Sequence, residues 1–305
     1  MEKQRKQQKA KRPALAVALF LGIALAVFLA LDALALTVLK PFFLRSGRFW
    51  LDDFELTQRA HPEEVWDKVF YGSSDVYAGY REEESGSGYV NLGMDNATIR
   101  DLWELIDGGF IHIGRELVIG VDELTFYDDF PTNPYYIWHR KSYEPYVYFA
   151  RARMQQLLRE TAEQVLGISQ PGYNFIGQKK TLYRGAMSKE ELEEKMASPS
   201  YRPYLYLVSE DFDENFAALE KVAAWCEANG VRLRMIFMPS NPIVTRPVSV
   251  VNAFRRLDAF CAGHGVELRD MRDDFGDECF YDGSHLNWEY GSHQFTKEIE
   301  SWLNS

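Results

Sequence analysis

Two side chains near the C-terminus have the spacing of a catalytic acid–base pair. Asp282 and His285 stand three residues apart in the segment YDGSHLN, before an amphipathic stretch that runs almost to the end. On a loop, such a carboxylate can bond one ring nitrogen, which fixes the imidazole tautomer and leaves the other nitrogen as a base. A base of this kind needs a nucleophile, and the sequence Gly72-Ser73-Ser74, far upstream, offers Ser74 on a turn. We therefore predict a Ser-His-Asp site.

The elements that would bring these residues together form an alternating pattern. Continuous apolar runs such as ELVIGV are typical of strands buried in a parallel sheet, and apolar residues three and four positions apart predict helices between them. This alternation predicts a doubly wound α/β fold, with its site at the carboxyl ends of the strands. Strands are predicted at 68–71, 88–92, 116–121, 232–238 and 266–268, and helices at 98–106, 214–229, 248–263 and 290–303.

A serine that attacks an acyl group also needs donors for the oxyanion that develops. The backbone N–H of Ser74 is one candidate, and the turn with sequence NLGMDN, residues 91–96, offers a second. Asn tolerates positive φ better than most residues, so we expect Asn96 to adopt the left-handed conformation.

The order of these motifs resembles that of the SGNH, or GDSL-like, hydrolase and acyltransferase superfamily. Its first, second, third and fifth blocks correspond to 72–74, 91–98, 120–122 and 282–285. The resemblance covers roughly residues 66–122 and 213–303. It implies a flavodoxin-like three-layer α/β/α fold with strand order 2-1-3-4-5.

The same resemblance assigns roles to individual residues. It implies that Ser74, His285 and Asp282 form the catalytic triad and that the backbone of Gly93 or Asn96 serves the oxyanion.

The third block departs from the family pattern. It normally ends in Asn, whose amide donates to the oxyanion, but here it ends in Asp122, and an ionised carboxylate would repel that oxygen. Three alternatives follow: Asp122 is protonated, Asn241 or Asn96 supplies the donor, or the site performs gentler chemistry than ordinary ester hydrolysis. A lost oxyanion donor costs about a hundred- to a thousandfold in rate.

The N-terminal region has the composition of a membrane anchor. Residues 1–12 carry six basic residues and one acidic residue, and 13–39 are almost entirely apolar, with Asp32 the single charge. About 20 apolar residues span a bilayer, and positive charge before the span predicts a cytoplasmic N-terminus. A cleaved signal peptide ending near Ala33-Leu34-Ala35 is the alternative. We expect Asp32 near the outer interface, and a juxtamembrane connector at 40–65 with aromatic residues suited to an interface, Phe42, Phe43, Phe49 and Trp50.

The rest of the chain, 66–305, is predicted to be one SGNH-like domain with an inserted lid or subdomain at about 124–206. The insertion is rich in Tyr and Pro, with helical pieces near 146–166 and 189–196. Its aromatic residues either stack on sugar rings, or pack onto the domain itself or sit near the membrane surface; they include Tyr135, Tyr136, Trp138, Tyr143 and Tyr146.

Charge and cysteine usage exclude other classes. The formal net charge is −11, and about −16 without the basic start, which argues against nucleic acid as a partner. Cys226 and Cys261 fall on apolar helix faces and are expected to be buried free thiols. No cofactor is predicted, and no metal, although a metal-dependent hydrolase is a third alternative that would use Asp75, Asp282, His285 and His293.

An anchor followed by an SGNH-like domain resembles the architecture of proteins that move acyl groups on envelope polymers, such as the D-alanyl-lipoteichoic acid transfer protein DltD and the alginate O-acetylation proteins. The resemblance implies an extracytoplasmic serine esterase or O-acyltransferase that acts on an envelope glycan or another acyl-carrying substrate. A membrane acyl-export protein is a further candidate partner. The alternative is an inactive scaffold or glycan-binding protein that keeps the fold.

Overall fold

The computed structural model describes residues 2–40, 52–130, 132–133, 136–149, 151, 162–163, 165–167, 183–197 and 209–305. The chain divides into two compact units. The first comprises Met1–Trp50 and His139–Pro171, and the second comprises Leu51–Trp138 and Gly172–Ser305. The interface aromatics predicted at Phe42, Phe43, Phe49 and Trp50 lie outside the described residues, as do Tyr135 and most of the helix predicted at 146–166.

The first unit is built on a long apolar helix. Helix α1 spans Glu2–Leu34 and continues as a π-helical turn at Ala35–Leu39. Within it, Pro13–Leu39 is the one stretch of 27 residues in the described chain that is long and apolar enough to cross a membrane. Asp32, the single charge of that stretch, accepts a hydrogen bond of 2.8 Å from the backbone N–H of Val147. This partner satisfies a carboxylate that would otherwise be costly in an apolar surrounding.

The second unit is built on a five-stranded, fully parallel sheet, which confirms the predicted α/β class. The strands are β1 (Trp66–Gly72), β2 (Val90–Gly93), β3 (Ile113–Val121), β4 (Arg232–Phe237) and β5 (Glu267–Asp270). They lie in the order β2-β1-β3-β4-β5. The helices of this unit are α2 (Asp53–Ala60), α3 (Ser74–Gly79), α4 (Ile99–Asp107), α5 (Lys189–Ala197), α6 (Asp213–Asn229), α7 (Val248–His264) and α8 (Gly291–Leu303).

Every strand and helix predicted outside the insertion is present, and the largest shift in a boundary is at β3, which starts at Ile113 rather than Glu116. The helix predicted at 189–196 is also present, as α5. The turn predicted after the first strand is instead the start of α3, so Ser74 is the first residue of a helix.

Alternate residues along the strands enter two separate apolar clusters. One cluster contains Val69, Leu117 and Met235 together with residues of α4, α6 and α7. The other contains Phe70, Val118 and Ile236 together with residues of α3 and α8. Because side chains alternate across a strand, both faces of the sheet are buried. Because the strands are parallel, their carboxyl ends lie at one edge of this buried sheet.

The aromatic residues of the insertion that belong to the second unit pack inward. Tyr136 is fully buried and stacks on Trp138 with ring centroids 4.3 Å apart, and Trp138 meets Phe54 edge-on. The packing alternative is therefore confirmed for these residues. In the first unit Tyr146 is also buried, whereas Tyr143 is exposed. The thiols of Cys226 and Cys261 are buried and unpaired, as predicted.

Candidate active site

The nucleophile candidate lies at the junction between β1 and α3. Ser73 caps the helix with its side chain, which accepts a hydrogen bond of 3.1 Å from the N–H of Asp75. This cap places Ser74 at the first position of α3, half-buried. Gly72 is required here because a Cβ at that position would lie 2.3 Å from Cγ2 of Val76. The close approach of the helix to the strand thus depends on a residue without a side chain.

The Asp-His segment is a closed loop. An antiparallel bridge joins Phe280 to Leu286, and the N–H of Tyr281 donates to the carbonyl of His285 at 2.8 Å. Inside the loop, Oδ1 of Asp282 accepts from the backbone N–H groups of Ser284 (3.1 Å) and His285 (2.9 Å). The Asp282 carboxylate therefore stabilises the backbone conformation of the segment that contains His285.

The structure brings the three predicted residues together. The hydroxyl of Ser74 lies 2.8 Å from Nε2 of His285. Nδ1 of the same ring lies 2.9 Å from Oδ1 of Asp282 and 3.0 Å from Oδ2. In the tautomer that carries its proton on Nδ1, that nitrogen donates to Asp282 and Nε2 accepts from the serine hydroxyl. The arrangement is that of a serine activated by a histidine base that a buried carboxylate orients.

Asn241 supports this loop, and one of its two amide hydrogens is used for that purpose. The side chain is buried, and its Nδ2 donates to the carbonyl of Asp282 at 3.0 Å. Its Oδ1 accepts from the N–H of Ile243, and its own N–H donates to the carbonyl of Gly283. These contacts hold the Asp282 backbone against the end of β4.

Gly93 also has a role other than the one predicted. Its N–H donates to Oδ1 of Asn91 at 2.9 Å, so it is not free to bind an oxyanion. A Cβ at Gly93 would lie 2.2 Å from the backbone nitrogen of Tyr77, which explains the glycine. Asn96 has φ of 59°, as expected. Within the described chain, no hydrogen-bond acceptor is found for its N–H or for that of Ser74.

Both oxygens of the Asp122 side chain accept hydrogen bonds from neighbouring groups. Oδ2 accepts from the hydroxyl of Ser73. Oδ1 accepts from the N–H groups of Leu124 (2.7 Å) and Thr125 (2.8 Å) and from the Thr125 hydroxyl (2.9 Å). The carboxylate ties the cap of α3 to the loop after β3. An amide could not accept from donors on both sides in the same way.

A second buried carboxylate flanks His285 and had no role in the predicted triad. Oδ1 of Asp75 lies 3.5 Å from Nε2, on the ring side that faces Ser74, and the residue is only 4% exposed. Burial raises the pKa of Asp75 well above its usual range, and the charge of His285 opposes that rise. Burial likewise raises the pKa of Asp95, in the turn after β2, again against the charge of His285.

The surrounding carboxylates make His285 more basic than a free imidazole. Burial alone would lower its pKa, but the charge of Asp75 and the hydrogen bond and charge of Asp282 outweigh burial and raise it. For Asp282, burial would raise the pKa, yet the hydrogen bond and charge of His285 and the charge of Lys195 hold it far below its usual range. Asp282 thus stays ionised opposite the imidazole.

The end of the insertion lies directly on the Asp-His loop. The carbonyl of Tyr183 accepts from the N–H of Trp288, and the N–H of Met187 donates to the carbonyl of Tyr281, both at 2.8 Å. The ring of Tyr183 stacks on His285 with centroids 4.3 Å apart. From α5, Nζ of Lys195 reaches Oδ2 of Asp282 at 2.5 Å. We call residues 183–197 the strap; its contacts with the triad have no local sequence signal.

A small aromatic cavity of about 130 Å³ adjoins the site. Tyr183 forms one wall of it, and Tyr77 and Ala78 of α3, one turn after Ser74, form another. The lining also includes polar and charged side chains, namely Arg81, Glu82, Glu83 and Asn91.

His293 belongs to a separate cluster. Its Nδ1 lies 2.5 Å from Oε2 of Glu84, and its Nε2 contacts Arg81. The set proposed for a metal-dependent hydrolase therefore lacks His293 as a ligand beside His285.

A scan against protein-family models finds no match to this chain, and a search of curated proteins also finds none. The geometry of the site therefore carries the functional argument.

Proposed function

We propose that this protein is a serine esterase or O-acyltransferase, and the observation that carries the proposal is the Ser74–His285–Asp282 chain of hydrogen bonds. The serine hydroxyl lies 2.8 Å from the histidine base, and the carboxylate behind that base is buried and ionised. Nucleophile and base thus lie within hydrogen-bond reach, with a third group orienting the base. Two free backbone N–H groups, of Ser74 and Asn96, complete the requirements for acyl transfer.

The topology supports membership of the SGNH superfamily. The strand order β2-β1-β3-β4-β5 is the one that a flavodoxin-like fold has. Helices that bury both faces of the sheet give three layers. The residues at the site follow the ends of β1, β2 and β3 and the chain beyond β5, in the order that the family motifs would have.

In the proposed reaction, the Ser74 oxygen bonds to the acyl carbon while its proton passes to Nε2 of His285. The N–H groups of Ser74 and Asn96 stabilise the oxyanion of the tetrahedral intermediate. Collapse of the intermediate breaks the bond to the leaving alcohol, which takes the proton from Nε2. Water or a sugar hydroxyl then attacks the acyl-enzyme by the same steps and regenerates Ser74.

We place the substrate at the cell envelope. The apolar Pro13–Leu39 stretch serves as the anchor in this proposal, and the basic residues before it would hold the N-terminus in the cytoplasm. The site would then face an acylated envelope glycan, with a membrane acyl-export protein as a partner. The cavity beside Tyr183, whose ring stacks on His285, offers aromatic surface for a sugar ring or a small acyl group.

Labelling by a fluorophosphonate probe tests the nucleophile. The full chain in detergent should be labelled at Ser74, and Ser74→Ala should abolish the labelling because no alkoxide can form. Ser73→Ala is the matched control, since Ser73 is buried and bonds to Asp122. We expect slower but detectable labelling of this variant. Labelling that persists in Ser74→Ala, measured by in-gel fluorescence and peptide mapping, would refute the assignment.

A non-catalytic scaffold or glycan-binding protein is the second candidate, and Asp122 is the observation that favours it. Its carboxylate stands where the family has a donor amide, and both of its oxygens accept hydrogen bonds. This candidate predicts that acyl esters are not turned over and that glycan binding is equal in the unmodified chain, Ser74→Ala and His285→Ala.

The pH dependence of turnover follows from the raised pKa of His285. Only the neutral imidazole accepts the serine proton, so activity is present above the pKa of His285 and is lost as the pH falls through it. Because Asp75 and Asp282 raise this pKa above 6.5, we expect the acid limb of kcat/KM to have its midpoint above 6.5. Ester hydrolysis between about pH 5 and 9 measures it, and a midpoint below 6.5 would contradict this prediction.

A further inference from the structure

A lysine from the strap touches the orienting carboxylate of the triad. Nζ of Lys195 lies 2.5 Å from Oδ2 of Asp282, whose side chain is only 2% exposed, whereas that of Lys195 is 35% exposed. Two backbone hydrogen bonds connect the strap to the Asp-His segment, one between Met187 and Tyr281 and one between Tyr183 and Trp288. They hold α5 close to this carboxylate. Asp282 is therefore shared between the side chain of Lys195 and the imidazole.

The charges around His285 explain what such a cation would do. Two carboxylates contact the ring, Asp75 from α3 and Asp282 from its own loop, and the charge of His285 also acts on Asp95 in the turn after β2. Tyr183 covers one ring face and carries no charge at neutral pH, because burial raises its pKa. Burial lowers the pKa of His285, whereas the charge of Asp75 and the hydrogen bond and charge of Asp282 raise it. Lys195 is the cation that opposes them.

We propose that Lys195 is a positioning residue that acts through Asp282 to limit the proton affinity of His285, and that the docked strap thereby increases the fraction of neutral imidazole near neutral pH. This inference rests on the proposed acyl-transfer function. It gives a role to the insertion, although none of the three triad residues belongs to the insertion. It also makes the base strength of His285 depend on whether the strap is docked on the loop.

The test compares charge variants of α5 in the full chain in detergent. Lys195→Met removes the cation, Lys195→Gln removes it but keeps a donor, and Lys195→Arg keeps it. Lys189→Met is the matched control, because Lys189 lies on the same helix and pairs with Glu193. The titration midpoint of His285 is read from labelled His Cε1 signals, assigned with His285→Gln. The acid limb of kcat/KM is measured in parallel.

We expect Lys195→Met and Lys195→Gln to raise the His285 midpoint by roughly one pH unit. The rate at pH 6 should then fall about fivefold to tenfold, with little change at pH 9, where the imidazole is neutral in every variant. Lys195→Arg and Lys189→Met should titrate like the unmodified chain. A merely structural role for Lys195 would lower the rate equally at all pH values.

An unchanged His285 midpoint in both Lys195→Met and Lys195→Gln would overturn the proposal, as would an equal loss of rate at pH 6 and pH 9. The titration does not require turnover. If the unmodified chain hydrolyses no ester but the midpoint still rises, the proposed function fails, whereas the electrostatic role of Lys195 stands.

Discussion

Replacing His285 with Gln is expected to lower kcat/KM for an acyl ester by about 10⁴- to 10⁶-fold. The imidazole is the base that contacts the Ser74 hydroxyl, and it can both take and return a proton. Gln keeps much of the volume and polarity of the side chain, so the loss reports chemistry more than packing. Initial rates with a p-nitrophenyl ester measure the effect, and the melting temperature checks that the variant folds.

The two carboxylates beside the ring provide a sharper form of the same test. Asp282→Asn should cost about 10⁴-fold, because an amide in contact with Nδ1 favours the wrong tautomer. Asp75→Asn is the matched control, since Asp75 is equally buried but lies 3.5 Å from Nε2. We expect it to cost less than about tenfold and to lower the acid limb. Equal losses in the two variants would show that Asp282 is not the particular orienter of His285.

The fold was largely predictable because its determinants are local. Buried parallel strands require continuous apolar runs, and the helices between them require apolar residues at three- and four-residue spacing, so both leave strong sequence patterns. The start of β3 was missed at Ile113-Gly114-Arg115, where charge and glycine interrupt the run. The helical start at Ser74 was missed because α3 has only six residues, too few for periodicity.

The site was predictable only where the motifs themselves carry the chemistry. Ser74, Asp282 and His285 meet because the strand ends share one edge of the sheet. The individual donors were harder to assign: the N–H of Gly93 and the amide of Asn241 are used internally by Asn91 and Asp282. Whether a polar group is free or occupied depends on hydrogen-bond partners that sequence spacing does not reveal.

The contacts of the strap could not be predicted at all. Lys195 and Asp282 are 87 residues apart, and a lysine on a polar helix is usually a solvated surface residue. Asp75 resembles an ordinary residue in the first turn of a helix, where a negative charge is favourable in any case. Both residues matter through long-range packing around one imidazole, so neither has a motif of its own.

Replacement of a buried arginine in the sheet is expected to have the largest effect on the free energy of unfolding. Arg234 of β4 is fully buried, and its Nε lies 2.6 Å from Oε1 of Glu116 on β3. Its other nitrogens donate to the hydroxyl of Tyr89 at 2.7 Å and to the carbonyls of Trp302 (2.6 Å) and Leu303 (3.2 Å) at the end of α8. One guanidinium thus joins two strands to the last turn of the C-terminal helix.

Arg234→Met is therefore expected to lower the free energy of unfolding by about 3–5 kcal/mol, because it leaves Glu116 buried without its main partner. Arg232→Met is the control, since Arg232 also pairs with Glu116 but is about half exposed, and its removal should cost less than about 1 kcal/mol. Urea unfolding of the full chain in detergent, followed by tryptophan fluorescence, measures both.

The double variant Arg234→Met/Glu116→Leu should recover most of the loss, because the cost comes from the unpaired carboxylate rather than from a missing attraction. If the double variant is as unstable as Arg234→Met, the contacts with α8 rather than the ion pair would dominate.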